Sequence, residues 1–244
     1  MILLLSGEGP SDIGSCRQAS EECTGDNFQA GPMALLVDQL VTPVWNYSPL
    51  EVSAFTFIPE IVLARKSKEV KQMVLPGAKR KWNTGGFFKH ARALAQMAQE
   101  RTGHDLPVGA VLFHDTDGTN SAALNLCSDK REAIMRGFEA EDFALGVAMV
   151  PKPKSEAWLL CALQPNPYTN CARFEEISGN DNSPNSAKNL LDVELATRGR
   201  QYHDIGEMIE NGTVQAANIS MPSFDCFRQR LEAVARKMAG LPDL

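Results

Sequence analysis

Apolar positions fall into short continuous runs that alternate with longer amphipathic stretches. Ile2-Leu3-Leu4-Leu5 is unbroken and stops at Ser6-Gly7-Glu8-Gly9-Pro10. This is the pattern of a strand buried on both faces, as in a parallel sheet. Val52 to Ile58 mixes β-branched and aromatic residues and predicts a second strand. Gly109 to His114 predicts a third, ending abruptly at Asp115-Thr116-Asp117-Gly118-Thr119. Phe143 to Val150 predicts a fourth, ending at Pro151-Lys152-Pro153-Lys154-Ser155.

Helical spacing fills the intervals. Met33 to Leu40 reads as a helix ended by Pro43. Phe87 to Arg101 reads as another, with Phe88, Ala91, Leu94, Ala95 and Ala98 on one face. Asp129 to Ala140 and Glu156 to Leu163 follow. Past Pro165 the character changes: residues 166–185 are rich in Asn, Pro and Ser and predict a loop. Three helical stretches then run over Ala187 to Thr197, His203 to Ile209 and Ser223 to Met238. Strands alternating with helices predict an α/β fold, a mostly parallel sheet flanked by helices over residues 1–165. Residues 166–244 add a C-terminal helical extension packed on that core as one compact unit.

Composition narrows the partners. The chain has 244 residues and a formal net charge of -6. An acidic chain is not a free-standing electrostatic binder of nucleic acid, because affinity for phosphate backbones needs concentrated positive charge. That charge is local here. From Val62 to Arg92 there are nine Lys and Arg against one acid, Glu69, so the remainder is strongly acidic. Trp82, Phe87 and Phe88 interleave with the basic residues, a mixture suited to a nucleic-acid backbone and base stacking. Lys79, Arg80, Lys81, Trp82 and Lys89, with Lys152, are the candidate nucleic-acid contacts; a solvated helix face with aromatics turned into the core is the plain alternative.

No stretch approaches the roughly 20 apolar residues of a spanning helix. The first apolar run is too short for a secretion signal. Six cysteines without a C-x-x-C pair and four dispersed histidines argue against structural zinc or a disulfide framework, so a reducing cytoplasm is expected.

The chemistry lies at the strand ends. In open parallel sheets, ligands bind beyond the carboxyl ends of the strands. Glu8 follows the first strand, Asp115 and Asp117 the third, and Lys152, Lys154 and Glu156 the fourth, with Ser155 a plausible helix N-cap. In an extended segment Asp115 and Asp117 point the same way and can reach one ion. A carboxylate set of Glu8, Asp115, Asp117 and Glu156, without His or Cys, favours Mg²⁺ or Mn²⁺. Such a set does phosphoryl chemistry, with Lys154 as a phosphate partner.

Glu8 after the first strand and Asp115-Thr116-Asp117-Gly118 after a later one resemble a TOPRIM domain, the metal-binding fold of topoisomerases, primases and OLD-family nucleases. More narrowly, the chain resembles a bacterial TOPRIM-like family linked to abortive infection and phage defence. The motifs are Glu8-Gly9-Pro10-Ser11-Asp12, the D-x-D-G strand end, Glu156-Ala157-Trp158-Leu159 and Pro222-Ser223-Phe224-Asp225-Cys226-Phe227. The resemblance runs from residue 1 to about 235, with residues 62–92 an insertion. It implies a Rossmann-like TOPRIM core and a Mg²⁺-dependent nuclease cleaving DNA or RNA, an effector of anti-phage defence. Glu8, Asp115, Asp117 and Lys154 would be its catalytic residues. A nearby-encoded ATPase subunit and a homo-oligomer are the implied partners.

Two other readings stand beside it. Val111-Leu112-Phe113-His114-Asp115-Thr116-Asp117-Gly118-Thr119 also fits the first motif of haloacid dehalogenase-type phosphatases, with Asp115 as nucleophile. The chain also fits a non-catalytic TOPRIM-like subunit that binds a partner ATPase.

Overall fold

A computed structural model describes residues 1–70, 85–103, 106–116 and 126–242. Strand β1 (Ile2–Gly7) leads through a tight π-turn at Gly9–Ile13 into β2 (Gly14–Cys16), β3 (Cys23–Thr24) and β4 (Phe28–Ala30). Helix α1 (Pro32–Trp45), β5 (Phe55–Ile58), α2 (Glu60–Glu69), α3 (Gly85–Arg101) and β6 (Val108–Phe113) follow. The chain continues with α4 (Leu126–Glu139), β7 (Gly146–Met149) and α5 (Ser155–Leu163). Helices α6 (Ala187–Thr197), α7 (Ile205–Glu210) and α8 (Pro222–Met238) complete it.

The main sheet has five strands in the order β3-β5-β1-β6-β7. β5, β1, β6 and β7 are parallel, and β3 pairs antiparallel with β5 at one edge. β2 and β4 form a separate antiparallel pair. The chain steps from β1 to β5 on one side, then crosses back to place β6 on the other. The gap between the ends of β1 and β6 is therefore the point where strand order reverses, the usual ligand position in such sheets.

Side-chain alternation along each strand separates two cores. Leu3, Leu5, Val111, Phe113, Val147 and Met149 face a layer built from α1, α5, α6, α7 and α8. Leu4, Ala110, Leu112 and Ala148 face α2, α3 and α4. The α/β architecture with a mostly parallel sheet is thus as the hydrophobic pattern predicts. The C-terminal helices share one continuous core with α1 and α5. Its centre is Trp158, fully buried, stacked on Phe227, edge-on to Phe224, and donating its Nε1–H to Ser223 Oγ at 2.8 Å.

Several expectations change. Pro43 does not end its helix, which runs on to Trp45. A proline in the last turn removes only one ladder bond, whereas Trp45 buries its ring and donates to Ala235 O at 3.0 Å. The second and fourth strands are shorter than expected, beginning at Phe55 and Gly146. The short strands β2, β3 and β4, two or three residues each, left no readable period in the sequence. The start of the basic segment is helix α2. Arg92 is buried and paired with Glu141, so it belongs to the core and not to a basic face.

The expectation of unpaired cysteines is overturned. Cys16 is bonded to Cys23, and Cys161 to Cys171. Spacings of 7 and 10 residues hide both pairs from a motif search, and tertiary folding brings them together. With two disulfides formed, the cysteines no longer point to a reducing compartment. No described helix is long and apolar enough to cross a membrane.

The pairing has a direct readout. Denatured without reductant, the chain should react with a thiol reagent at Cys127 and Cys226 alone, and reduction should expose all six cysteines. Six reactive thiols before reduction would refute both bonds.

Candidate active site at the carboxyl edge of the sheet

Two glycines shape the approach to the site. A Cβ on Gly7 would lie 2.3 Å from Phe113 O, so only glycine lets β1 and β6 end this close together. Gly9 has φ +74° and turns the chain sharply back across the sheet edge. Glu8, between them, accepts the Asp115 N–H on Oε1 at 2.6 Å. Its Oε2 lies 3.5 Å from His114 Nδ1. Burial alone would raise the Glu8 pKa. The His114 contact and charge, the charge of Lys130 and the Asp115 amide outweigh it, and Glu8 is held below the ordinary carboxylate range.

Asp115 is fixed on both sides. Its Oδ1 accepts the Ser155 N–H at 2.9 Å at the first turn of α5, and its carbonyl accepts from Lys130 Nζ at 2.5 Å. Lys130 also sits 4.7 Å from the Phe87 ring centroid, a cation–π contact. Thr116, the last described residue before Asp117, donates Oγ1–H to Pro151 O at 2.5 Å, tying this strand end to the next one.

Neighbouring polar side chains complete the arrangement. Lys154 holds the N-cap position of α5 and Ser155 lies inside the helix, so the expected capping role of Ser155 is displaced by one residue. Its hydroxyl instead donates to Asp12 Oδ1 at 2.6 Å. Tyr202, from the C-terminal region, donates to the same oxygen at 3.0 Å, and Ser11 reaches Asp12 Oδ2 at 3.2 Å. Burial and the charges of Asp12, Glu156 and Asp115 drive the Tyr202 pKa strongly upward, so its hydroxyl stays protonated and acts as a donor. The sequence marks Asp12 by its place in the Glu8-to-Asp12 motif and as a capping residue after the first strand. Tyr202 carries no such mark, because a long loop and a helix separate it from the sheet.

Glu156 is buried, with Oε2 3.4 Å from the Ser155 hydroxyl. Burial, opposed by its own backbone amide, and the nearby Asp12 and Asp181 push its pKa up. His114 and His90, far apart in sequence, stack at 5.8 Å, and Phe87 meets His114 edge-on at 4.8 Å. Both ring nitrogens of His114 are buried without a well-formed hydrogen bond. Burial and His114 lower the His90 pKa.

The fold thus brings Glu8, Asp115, Glu156 and Lys154 to one sheet edge. Lys154 is paired there with Asp181 at 2.9 Å. Lys152 turns to Glu176 at 3.0 Å, and Lys89 is exposed on α3. Asp117, Lys79, Arg80, Lys81 and Trp82 lie outside the described residues. Among the described residues, no three His, Cys, Asp or Glu side chains surround a common metal position. The donor chemistry nevertheless fits a hard cation, because the oxygens gathered at this edge are carboxylate. Comparison with known protein families, characterised proteins and solved structures finds no match to this chain.

The cost of burying the Glu156 carboxylate can be tested. Its folded-state pKa is raised, so any stability it contributes is present at low pH and lost as pH rises through the folded value. At neutral pH it is a cost. Glu156→Gln should therefore stabilise the fold at pH 7 by about 0.5–2 kcal/mol in urea denaturation. The gain should disappear at pH values low enough to protonate the wild-type side chain. A destabilised variant at pH 7 would show that the carboxylate is already compensated.

Proposed function

We propose that this chain is a Mg²⁺-dependent nuclease with a TOPRIM-like core. The observation that carries the reading is the meeting of Glu8 with the Asp115 amide at the reversal point of the sheet, with Asp12 and Glu156 beside them. An α/β sheet that gathers carboxylates at this point suits a cation that binds phosphate.

Glu8, Asp115 and Asp117 would hold the ion, with Glu156 behind them. Bound there, Mg²⁺ supplies Lewis-acid polarisation of the phosphodiester and a more acidic water. The chain's own groups do the rest. Glu8, kept ionised by His114 and Lys130, is available as a ligand or proton acceptor. The Ser155 amide holds Asp115 in place. Asp12 is fixed by three hydroxyl donors and keeps its position without drawing on a cation. Lys152 and Lys154 already face carboxylates at the rim, and a substrate phosphate would exchange with Glu176 and Asp181. The basic segment around Lys79, Arg80, Lys81 and Trp82 would follow the nucleic-acid backbone. The same resemblance assigns the nuclease to anti-phage defence, with an ATPase as its partner.

Asp115→Asn should reduce Mg²⁺-dependent cleavage of DNA or RNA by at least about 100-fold while the far-ultraviolet circular dichroism is unchanged. Full cleavage in a folded variant would remove the metal assignment. A wild-type protein that hydrolyses small phosphomonoesters and leaves nucleic acid intact, with beryllofluoride trapped at Asp115, would establish the phosphatase reading instead.

Replacing Lys79, Arg80 and Lys81 with Gln should weaken nucleic-acid binding and lower the slope of log K against log salt by up to about 2–3. An unaltered slope would show that these residues do not face phosphate.

A further inference from the structure

On the opposite side of β6 from β1 lies the terminal strand β7, and its outer edge forms the floor of a groove. The groove runs between α4 and α8, has a volume of about 410 Å³, and is lined by Arg131, Met135, Ala148, Cys226, Gln229 and Arg230. It is separate from the carboxylate site. The ladder to β6 uses Leu145 O and Met149 O, so the odd residues of β7 turn their backbone groups inward to β6. Gly146 and Ala148 turn theirs outward. Most of that edge is already closed. Arg230 donates Nε–H to Gly146 O at 2.9 Å and Nη2–H to Ala144 O at 2.8 Å. Beyond the strand, the Cys127 thiol reaches Val150 O at 3.6 Å. Between these two caps, neither the N–H nor the C=O of Ala148 has a hydrogen-bond partner among the described residues.

We propose that this groove binds a short, extended, acidic peptide segment through one β-bridge at Ala148. An extended residue returns one N–H and one C=O to a facing residue, the pair that Ala148 presents. A fatty acid or a lone carboxylate returns only acceptors. The caps on either side limit the addition to a few residues, so the groove accepts a tail or linear motif and excludes a long strand.

Charge selects the sequence. Arg131, on α4, makes no hydrogen bond or ion pair with a described residue, and Arg230 has its Nη1 group uncommitted. The side chain of Ala148 points toward α4. The peptide residue facing it therefore points the same way, to Met135, and its second neighbours reach Arg131. The immediate neighbours point to α8 and Arg230. An apolar residue flanked by acids on both faces is the complement.

The test uses the whole protein and the peptide Ac-Glu-Asp-Leu-Asp-Glu-NH2, followed by isothermal calorimetry. Saturable binding with Kd below about 1 mM is expected, weakening as salt rises. Arg131→Ala should weaken it about tenfold, the worth of one charge-assisted contact. Methylating the leucine nitrogen should abolish binding, which distinguishes a strand bridge from a purely electrostatic contact. Binding that survives N-methylation, equal binding of Ac-Lys-Lys-Leu-Lys-Lys-NH2, or no saturable binding would each overturn the proposal. So would a concentration-dependent dimer dispersed by Arg131→Ala in sedimentation, since the occupant would then be a second copy of the chain.

Discussion

The hydrogen bond from the Asp115 amide to Glu8 ties together the ends of two parallel strands, and the rest of the candidate site is arranged around it. Its geometry depends on Gly7, where any side chain would strike the Phe113 carbonyl. Once the two strand ends meet, Glu8 is half-buried and held ionised beside His114 and Lys130. Asp115 is then directed at the first turn of α5. A larger residue at position 7 would part β1 from β6 and disconnect the carboxylates from each other.

The site is assembled from distant parts of the chain. Asp12 is met by Ser155 from α5 and Tyr202 from the C-terminal region, so one carboxylate joins the first turn, the middle of the chain and the helical extension. The extension contributes both to the core, through the stack of Trp158 with Phe224 and Phe227, and to the polar edge, through Tyr202. Carboxylates crowd this edge, with Lys130 held by the Asp115 main-chain carbonyl and Lys154 paired with Asp181. Burial is the main cause of the raised Glu156 pKa, and Asp12 and Asp181 add to it.

Charge is partitioned across the molecule. Of the basic residues between 62 and 92, Arg65 pairs with Glu21, Lys66 with Glu69 and Arg92 with Glu141. The first two pairs are exposed and contribute little to stability. The third is buried and is part of the packing between α3 and the α4–β7 connection. The groove beside β7 takes the opposite solution, presenting Arg131 and part of Arg230 to whatever occupies it. An acidic chain therefore carries two separate basic regions, one along the sequence and one made by packing.

Hydrophobic runs determine the strands, because a parallel strand buried on both faces leaves a run of apolar residues that no other local structure explains. Ile2 to Leu5 and Gly109 to His114 were legible for that reason, and the acids that end them followed directly. Short polar strands such as β2 and β3 carry no such period, and neither do pairs of residues joined only by folding. The disulfides, the stacking of His90 on His114, and the convergence of Ser155 and Tyr202 on Asp12 are all of this second kind. Each depends on the path of the chain through three dimensions, where contact distance no longer follows sequence distance. The sequence by itself determined the α/β class and the carboxylates at the strand ends. Only the tertiary structure decided which groups stand beside them, because strand order and helix packing place residues such as Asp12 and Tyr202, 190 positions apart, within one hydrogen bond.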